Sequence, residues 1–283
     1  MITYFQALIL GILQGITELF PVSSLGHSVV LPALFGWHNL VKAQSSPESY
    51  FLAFLVGLHV ATATALLIFY RSTWTRIIKG FFRSLKTRKV ESPTERMAWL
   101  LVVATIPAGI TGVVLEHAFR VLFAKPLAAA IFLTINGLIL FAGERYRKAA
   151  EGRKARRQLA NFSYKEAGII GTAQVLALLA GISRSGVTMV AGLVRGLSHK
   201  DAADFAFLLA TPVILGAGIL KLPDLFGPLG NGVRGQILVG SIAAGIAAYF
   251  SVRWLTRYFQ TKTLKPFAWY SFIFGILMIL RFA

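Results

Sequence analysis

The chain has 283 residues, of which 56% are hydrophobic and 14% are charged, and it contains no cysteine. Soluble domains carry about 25% charged residues, so this composition argues against a soluble globular protein. The lack of cysteine excludes a disulfide framework and a thiolate metal site. The net charge of +18 does not indicate nucleic-acid binding, because the basic residues cluster between apolar blocks, as they do in membrane proteins.

The apolar blocks predict an all-α integral membrane protein with six transmembrane helices and two re-entrant elements. A helix needs roughly 20 apolar residues to cross the hydrocarbon layer. In chain order, residues 5–37 form a block broken by polar residues, and the charge-free blocks 51–70, 97–115 and 127–143 follow. A second broken block, residues 166–197, precedes the charge-free blocks 205–220, 235–252 and 266–280. We interpret each broken block as two short helices joined by an elbow, because irregular backbone at membrane depth must be surrounded by protein or water.

The two broken blocks align with each other at a constant offset of 160 residues. The aligned pairs share their residue type: Gly11 with Gly171, Gln14 with Gln174, Ser23 with Ser183, and Gly26 with Gly186. Self-similarity at a fixed offset indicates an internal repeat. We therefore predict one membrane domain, residues 1–283, with a first half at 1–143 and a second half at 163–283.

The distribution of basic residues predicts that the two halves are inverted. Four segments that we interpret as loops, 71–96, 144–165, 195–200 and 253–265, hold 22 of the 29 Lys and Arg residues. Positive residues concentrate on the cytoplasmic side of membrane proteins. This alternation requires that the first broken block enters from outside and the second from inside. Inverted repeats place binding sites near the midplane, where broken helices meet.

The first elbow carries candidates for catalysis and metal binding. An ionisable group at membrane depth is costly, so Glu18 and His27 are functional candidates. A serine attacks when a base accepts its proton, and His27 is close enough in sequence to serve Ser24 or Ser23. Glu18 could orient His27, act as a general acid or base, or bind a divalent cation. Gln14 lies on the same helix face and could share magnesium or calcium with Glu18 and the substrate.

The second elbow has the composition of a polyanion site. Arg184 offers a planar, permanently charged guanidinium that suits phosphate oxygens. We predict that the neighbouring polar and glycine positions bind the same ligand: Gln174, Ser183, Ser185, Gly186 and Thr188. Each elbow is expected to open a helix, and two helix N-termini that face each other favour an anion between them. The alternative is a structural ion pair between Arg184 and Glu18 that only holds the halves together.

The sequences Gln-Gly-Ile-Thr-Glu-Leu-Phe-Pro-Val-Ser-Ser-Leu-Gly-His (14–27) and Gly-Ile-Ser-Arg-Ser-Gly-Val-Thr (181–188) resemble the two signature motifs of the undecaprenyl-diphosphate phosphatase family, also called the bacitracin-resistance family. The resemblance covers essentially the whole chain. It implies a multi-pass enzyme of the bacterial cytoplasmic membrane that converts undecaprenyl pyrophosphate to undecaprenyl phosphate. Its site would open to the outer side, where the lipid carrier is recycled for peptidoglycan synthesis.

The resemblance also assigns residues. The family's functional residues carry over as Glu18, Ser23, Ser24, His27 and Arg184, and the family is said to need a divalent cation. Two positions depart from the family's pattern. Gln14 stands where glutamate is often found, which argues against a two-carboxylate metal site, and Ala180 stands where a proline often precedes the second motif.

Two other functions fit the same sequence features. A transporter or flippase of a polyprenyl phosphate lipid is one, because transporters commonly use inverted repeats with broken helices. The Ser, His and Glu set at one elbow favours chemistry, since a carrier needs only Arg184 and the helix N-termini. A structural subunit of a membrane complex is the other. The expected partners are a polyprenyl pyrophosphate and membrane lipids, without nucleic acid, and the sequence leaves a monomer or a homodimer open.

Overall fold

The structure is a computed structural model that describes residues 1–44, 46, 49–115, 125–150 and 159–283. Within these ranges the regular elements are helices. The α-helices are α1 Tyr4–Thr17, α2 Ser24–Leu34, α3 His38–Gln44, α4 Tyr50–Phe69, α5 Arg71–Thr87, α6 Pro93–Val114, α7 Pro126–Ala150, α8 Tyr164–Gln174, α9 Arg184–Val194, α10 His199–Leu220, α11 Leu222–Phe226, α12 Arg234–Tyr258 and α13 Lys265–Phe282. Short 3-10 helices occupy Leu159–Asn161, Val175–Leu178 and Pro228–Gly230.

Six of the described helices are long and apolar enough to cross a membrane: α4, α6, α7, α10, α12 and α13. They correspond to the six charge-free blocks, and the prediction of an all-α, multi-pass membrane protein is confirmed. The helices extend beyond the blocks. α12, for example, runs from Arg234 to Tyr258, because basic and aromatic residues can continue a spanning helix into the interface.

The two broken blocks form pairs of short helices, as predicted. α1 has 14 residues, and α2, α8 and α9 have 11 each. At 1.5 Å per residue these arms are only about 16–21 Å long, which is too short to cross the hydrocarbon layer. Each pair therefore brings its elbow into the interior of the protein.

The two pairs enter the structure from opposite faces. Ile2, just before α1, lies in a buried apolar cluster with Phe51 at the start of α4 and Val233 before α12. Glu166 in the first turn of α8 accepts a bond from Arg195 at 3.1 Å, just before α10 begins. α10 starts beside the Glu166–Arg195 pair and ends near the cluster of Ile2, Phe51 and Val233. A spanning helix therefore separates the two faces.

The same local structures recur in the two pairs at the offset of 160 residues. Thr3 and Gln6 form a capping box at the start of α1, and Ser163 and Glu166 form one at the start of α8. In such a box a hydroxyl and a carboxyl or amide group satisfy two otherwise unpaired N–H groups. The exact boundaries of the halves, 1–143 and 163–283, stay a prediction.

Close helix packing at glycine also recurs at the offset of 160 residues. A Cβ added at Gly11 would collide with the carbonyl group of Gly240, and a Cβ added at Gly171 would collide with that of Ala104. α1 thus packs against α12, and α8 packs against α6. The first arm of each broken pair crosses the second spanning helix of the other half, which joins the halves into one core.

The interpretation of residues 71–96 as a loop was wrong over most of its length. Residues Arg71–Thr87 form the 17-residue helix α5, because one face is apolar and packs on the protein while the other is basic. The segment 144–165 begins inside α7, which continues to Ala150, and its part from 151 to 158 lies outside the described residues.

Candidate active site

The two elbows meet in the interior of the protein. Gly26 packs so closely on Gly181 that an added Cβ would lie 2.8 Å from the Gly181 Cα. Gly181 has a φ of +115°, which glycine adopts without steric cost. The Gly181 N–H donates to the Ser23 hydroxyl at 3.2 Å. One backbone contact and one hydrogen bond therefore join residues that are far apart in the sequence.

Both elbows open a helix, as predicted, and each helix begins at a serine cap. Ser23 accepts a bond from the Gly26 N–H at 3.2 Å, and Ser183 accepts one from the Gly186 N–H at 3.1 Å. Serine is favoured at this position because its hydroxyl satisfies one of the unpaired N–H groups of the first turn. The N-termini of α2 and α9, with the positive ends of their dipoles, meet at this junction.

Glu18 is the centre of the polar network at the junction, and its side chain is 7% exposed. Its Oε2 accepts bonds from the Ser24 hydroxyl at 2.5 Å and from the Gln14 Nε2 at 3.1 Å. Its Oε1 accepts a bond from an Arg184 NH2 group at 3.1 Å. The His59 Nε2 lies 3.6 Å from Oε2. Burial of this carboxylate is thus compensated by a guanidinium from the other half.

His27 is held away from the serine hydroxyls. Its Nδ1 lies 2.6 Å from the Ser23 carbonyl oxygen, and its Nε2 lies 2.8 Å from the Tyr270 hydroxyl. A carbonyl oxygen only accepts, so we assign the proton of the neutral ring to Nδ1, and Nε2 then accepts from Tyr270. The ring is nearly parallel to those of Tyr270 and Phe274, with centroid distances of 5.7 and 5.2 Å. Among the described contacts, neither nitrogen bonds Ser23 or Ser24 through its hydroxyl, and Glu18 is not a partner of the ring.

The contact between His27 and the Ser23 carbonyl coincides with unusual backbone geometry. Ser23 has φ 71° and ψ 103°, a region that residues other than glycine rarely adopt. Such a conformation costs of order 1–3 kcal/mol and persists only where surrounding contacts hold it. The Nδ1–H bond of His27 supplies one such contact, so the structure places His27 as a support for the elbow.

Two residues that the sequence-based prediction left out of the site belong to it. Asn136 on α7 is completely buried, and its Nδ2 donates to the Pro21 carbonyl at 3.0 Å and to the Ser271 hydroxyl at 3.1 Å. Its Oδ1 accepts from the Ser183 N–H at 2.9 Å. A single amide therefore bridges both elbows. His59 on α4 is the other residue, through its approach to Glu18.

The remaining hydroxyl groups of the second elbow bond mainly within the junction. The Ser183 and Ser185 hydroxyls lie 3.0 Å apart, and the Ser185 hydroxyl donates to the Phe20 carbonyl of the first elbow at 3.3 Å. The Thr188 hydroxyl donates to the Arg184 carbonyl at 2.7 Å, within its own helix. Ser183 and Ser185 therefore help to join the elbows, whereas Thr188 stays one turn away along α9.

Comparison with known proteins places this architecture in a family. Residues 7–277 match the family described as Bacitracin resistance protein BacA. The chain belongs to the BacA family. Undecaprenyl-diphosphatase 2 of Frankia alni is 52% identical to it, over 100% of this chain and 98% of the relative. Undecaprenyl-diphosphatase of Mycolicibacterium paratuberculosis is 53% identical, over 97% of this chain and 95% of the relative.

A more distant relative covers nearly the same span. Undecaprenyl-diphosphatase 2 of Burkholderia thailandensis is 43% identical, over 94% of this chain and 92% of the relative. The similarity to these proteins thus extends over both halves and both elbows of this BacA family member.

The two glutamines that align in the repeat have different surroundings in this BacA family member. Gln14 donates to Glu18. Gln174 is 2% exposed, and neither polar atom of its side chain has a hydrogen-bond partner among the described residues. At the offset of 160, Leu178 occupies the position of Glu18. The two halves of the repeat therefore differ at the position of Glu18, and Gln174 has no hydrogen bond to the Glu18 network among the described residues.

The described residues around Glu18 offer part of the ligand set of a cation site. Within the described part of the chain, no group of three or more His, Cys, Asp or Glu side chains is placed to hold a metal ion. The Gln14 Oε1 is buried and has no hydrogen-bond partner among the described residues. With the Glu18 carboxylate it offers oxygen donors of the type that magnesium and calcium prefer. The other ligands of such a cation would have to be substrate oxygens and water.

Proposed function

We propose that this BacA family member removes the terminal phosphate of undecaprenyl pyrophosphate, which gives undecaprenyl phosphate and inorganic phosphate. The observation that carries the proposal is the 2.5 Å bond from the Ser24 hydroxyl to the buried Glu18 carboxylate, beside Arg184. This bond pairs a nucleophile, the Ser24 hydroxyl, with a base, the Glu18 carboxylate. Both lie next to the Arg184 guanidinium, which suits phosphate oxygens. Two relatives that are 52% and 53% identical to this chain are named undecaprenyl-diphosphatases. These names support the choice of substrate.

Arg184 and the two helix N-termini bind the pyrophosphate. Guanidinium groups bind phosphate oxygens through charge-assisted hydrogen bonds, often two at a time. In the structure Arg184 donates to Glu18 and to the Ala206 carbonyl. An arriving pyrophosphate competes with Glu18 for the guanidinium, and a carboxylate that loses this partner accepts a proton more readily. Substrate binding and activation of the base are thus coupled through one ion pair.

Ser24 is the nucleophile in this proposal. Its Oγ forms a bond to the terminal phosphorus, its proton passes to Glu18 Oε2, and the bond from that phosphorus to the bridging oxygen breaks. Undecaprenyl phosphate leaves, and a phosphoserine remains. A water molecule then attacks the phosphorus, and the Ser24 Oγ–phosphorus bond breaks. Ser24 regains a proton from Glu18, Glu18 takes one from the water, and this last proton passes to solvent, which restores the Glu18 carboxylate. The alternative is direct attack by water that Ser24 orients.

The remaining predicted groups have supporting roles. His27 holds the Ser23 carbonyl, and Ser23 in turn holds Gly181, so these two residues position the elbows. Glu18 and Gln14 would hold a divalent cation together with pyrophosphate oxygens and water. Such a cation, when bound, supplies positive charge that neutralises the leaving phosphate.

The protein is placed in the bacterial cytoplasmic membrane in this proposal. The face that gathers Glu166 and Arg195 carries the basic segments, which are expected on the cytoplasmic side. The first elbow, with Ser24 and Glu18, enters from the other face, so the site opens outward. That side is where a lipid carrier released from peptidoglycan synthesis has to be returned to its monophosphate form.

The test is phosphate release from undecaprenyl pyrophosphate by the purified protein in detergent, with and without a metal chelator. Release should stop with the chelator and in Arg184→Ala. It should continue in the matched control Arg281→Ala, which removes an exposed arginine at the end of α13. If folded wild-type protein releases no phosphate, the proposal fails, and flux of labelled undecaprenyl phosphate across vesicles would test a transporter instead.

A second measurement distinguishes the two nucleophiles. Ser24→Ala removes the attacking oxygen in the serine mechanism, so turnover should fall far more than substrate binding. Labelled phosphate should also be trapped on the wild-type protein and not on Ser24→Ala. If no phosphate is trapped on the wild-type protein and Ser24→Ala is slow, the attack is assigned to water that Ser24 orients. Unchanged turnover in Ser24→Ala would remove Ser24 from both mechanisms.

A further inference from the structure

Helix α5 lies at one face of the membrane domain. It follows spanning helix α4 directly and leads into spanning helix α6, so both of its ends are on the same side. The Trp99 Nε1 donates to the Ser84 hydroxyl at 3.0 Å, and the Arg83 Nε lies 3.5 Å from the Glu95 Oε1. These contacts join the second half of α5 to the first two turns of α6. α5 therefore packs on the beginning of α6.

The surface of α5 divides into three strips along the helix. One strip packs on the protein and includes Ile77 and Ser84, each 4% exposed. The strip beside it is apolar and exposed. It consists of Ile78 at 48%, Phe82 at 64% and Leu85 at 47% exposure. These three residues are spaced i, i+4 and i+7, so they share one face of the helix.

The third strip is basic. It consists of Arg76, Lys79, Arg83 and Lys86, which are all exposed. At 3.6 residues per turn these four residues span roughly 80°, next to the exposed apolar strip and away from the protein. Residues 71–87 include five basic residues and no acidic residue. No acidic side chain within α5 therefore neutralises this basic strip. From outside the helix, Glu95 of α6 approaches Arg83.

We propose that α5 lies in the plane of the membrane interface and binds anionic phospholipids. The order of the three strips matches the order of the surroundings at a bilayer surface: protein, acyl chains and headgroups. The exposed apolar strip is in contact with acyl chains, and the basic strip binds headgroup phosphates by charge complementarity. This lipid site is separate from the Glu18 junction and does not depend on the proposed phosphatase activity.

Single-cysteine probes test the orientation of α5, because the chain contains no cysteine of its own. Phe82→Cys and Lys79→Cys are each labelled with an environment-sensitive fluorophore and reconstituted in vesicles. A quencher on the upper part of the lipid chains should quench the probe at position 82 strongly. The matched probe at position 79, on the basic strip, should be quenched much less. Equal, weak quenching at both positions would place the apolar strip in water or against protein and would overturn the proposal.

Lipid selectivity tests the basic strip. The probe is spin-labelled phosphatidylglycerol, compared with spin-labelled phosphatidylcholine, in vesicles of both lipids in equal parts. The triple variant Arg76→Gln, Lys79→Gln, Lys86→Gln should lower the preference for phosphatidylglycerol by about tenfold, since each basic residue near an anionic surface adds to the affinity.

The matched control is the triple variant Arg253→Gln, Arg257→Gln, Lys262→Gln. It removes three positive charges from the same side of the membrane domain as α5, at and just after the end of α12. The control variant should lose clearly less of the preference for phosphatidylglycerol, because these three residues do not belong to the basic strip of α5. Equal losses in the two triple variants would mean that lipid binding follows total charge, and the specific role of α5 would be refuted.

Discussion

Gly26→Ala puts a methyl group into the contact that joins the elbows. In the structure, the added Cβ would lie 2.8 Å from the Gly181 Cα and 3.1 Å from the Gly181 nitrogen. Carbon atoms that are not bonded rest about 3.5–4.0 Å apart. The elbows therefore have to separate by about 1 Å, because the atoms in contact belong to backbone and cannot move aside as a flexible side chain would.

The size of the effect follows from three contributions. Overpacking in a tight contact costs about 1–3 kcal/mol, and loss of the Ser23–Gly181 hydrogen bond costs about 1 kcal/mol. The higher helix propensity of alanine returns up to about 1 kcal/mol. A net loss of about 1–4 kcal/mol in stability follows. The effect on activity is larger, because Glu18 and Arg184 lie on opposite elbows and a displacement of about 1 Å can cost about a hundredfold in rate.

The assay is phosphate release from undecaprenyl pyrophosphate, together with thermal unfolding in detergent. Gly109→Ala is the matched control, since among the described residues no atom beyond its chain neighbours and its own helix backbone lies within 4 Å of a Cβ at that position in α6. It should keep its activity and be neutral or slightly more stable. If Gly26→Ala has the same rate and stability as Gly109→Ala, the close contact of the elbows is not required, and the reasoning from their geometry is refuted.

Three further predictions concern single side chains. Glu18→Gln keeps the shape of the carboxylate but removes the base, so kcat should fall by about 10²–10⁴; a rate near that of the wild type would remove Glu18 from proton transfer. Asn136→Leu leaves a buried carbonyl in one elbow and a buried N–H in the other without this partner, at about 1–3 kcal/mol each; an unchanged melting temperature would show that the bridge is dispensable. Tyr270→Phe should lower kcat much less than His27→Ala, because the bond from His27 Nδ1 to the first elbow remains; equal losses in steady-state kinetics would instead indicate a proton relay through Tyr270.

The sequence alone identified the spanning helices, the broken pairs and the helix that each elbow opens. These features depend on local properties: the length of an apolar block, the free N–H groups of a first turn and the cost of polar groups in lipid. The same local patterns could have predicted α5, since its apolar residues recur at helical spacing. We interpreted residues 71–96 by charge alone, and the helical period within them was therefore missed.

Only the tertiary structure decided which groups meet. Glu18 bonds Arg184 from the other half and approaches His59 from a spanning helix, and Asn136 bridges both elbows. His27 was expected to serve a serine, but its ring is turned to the Ser23 carbonyl and to Tyr270. These pairings depend on how each helix is rotated and how closely it packs, which residue type and spacing do not determine. The sequence thus determined which elements and reactive groups this protein has, and the packing of its two halves decided which of those groups act on one another.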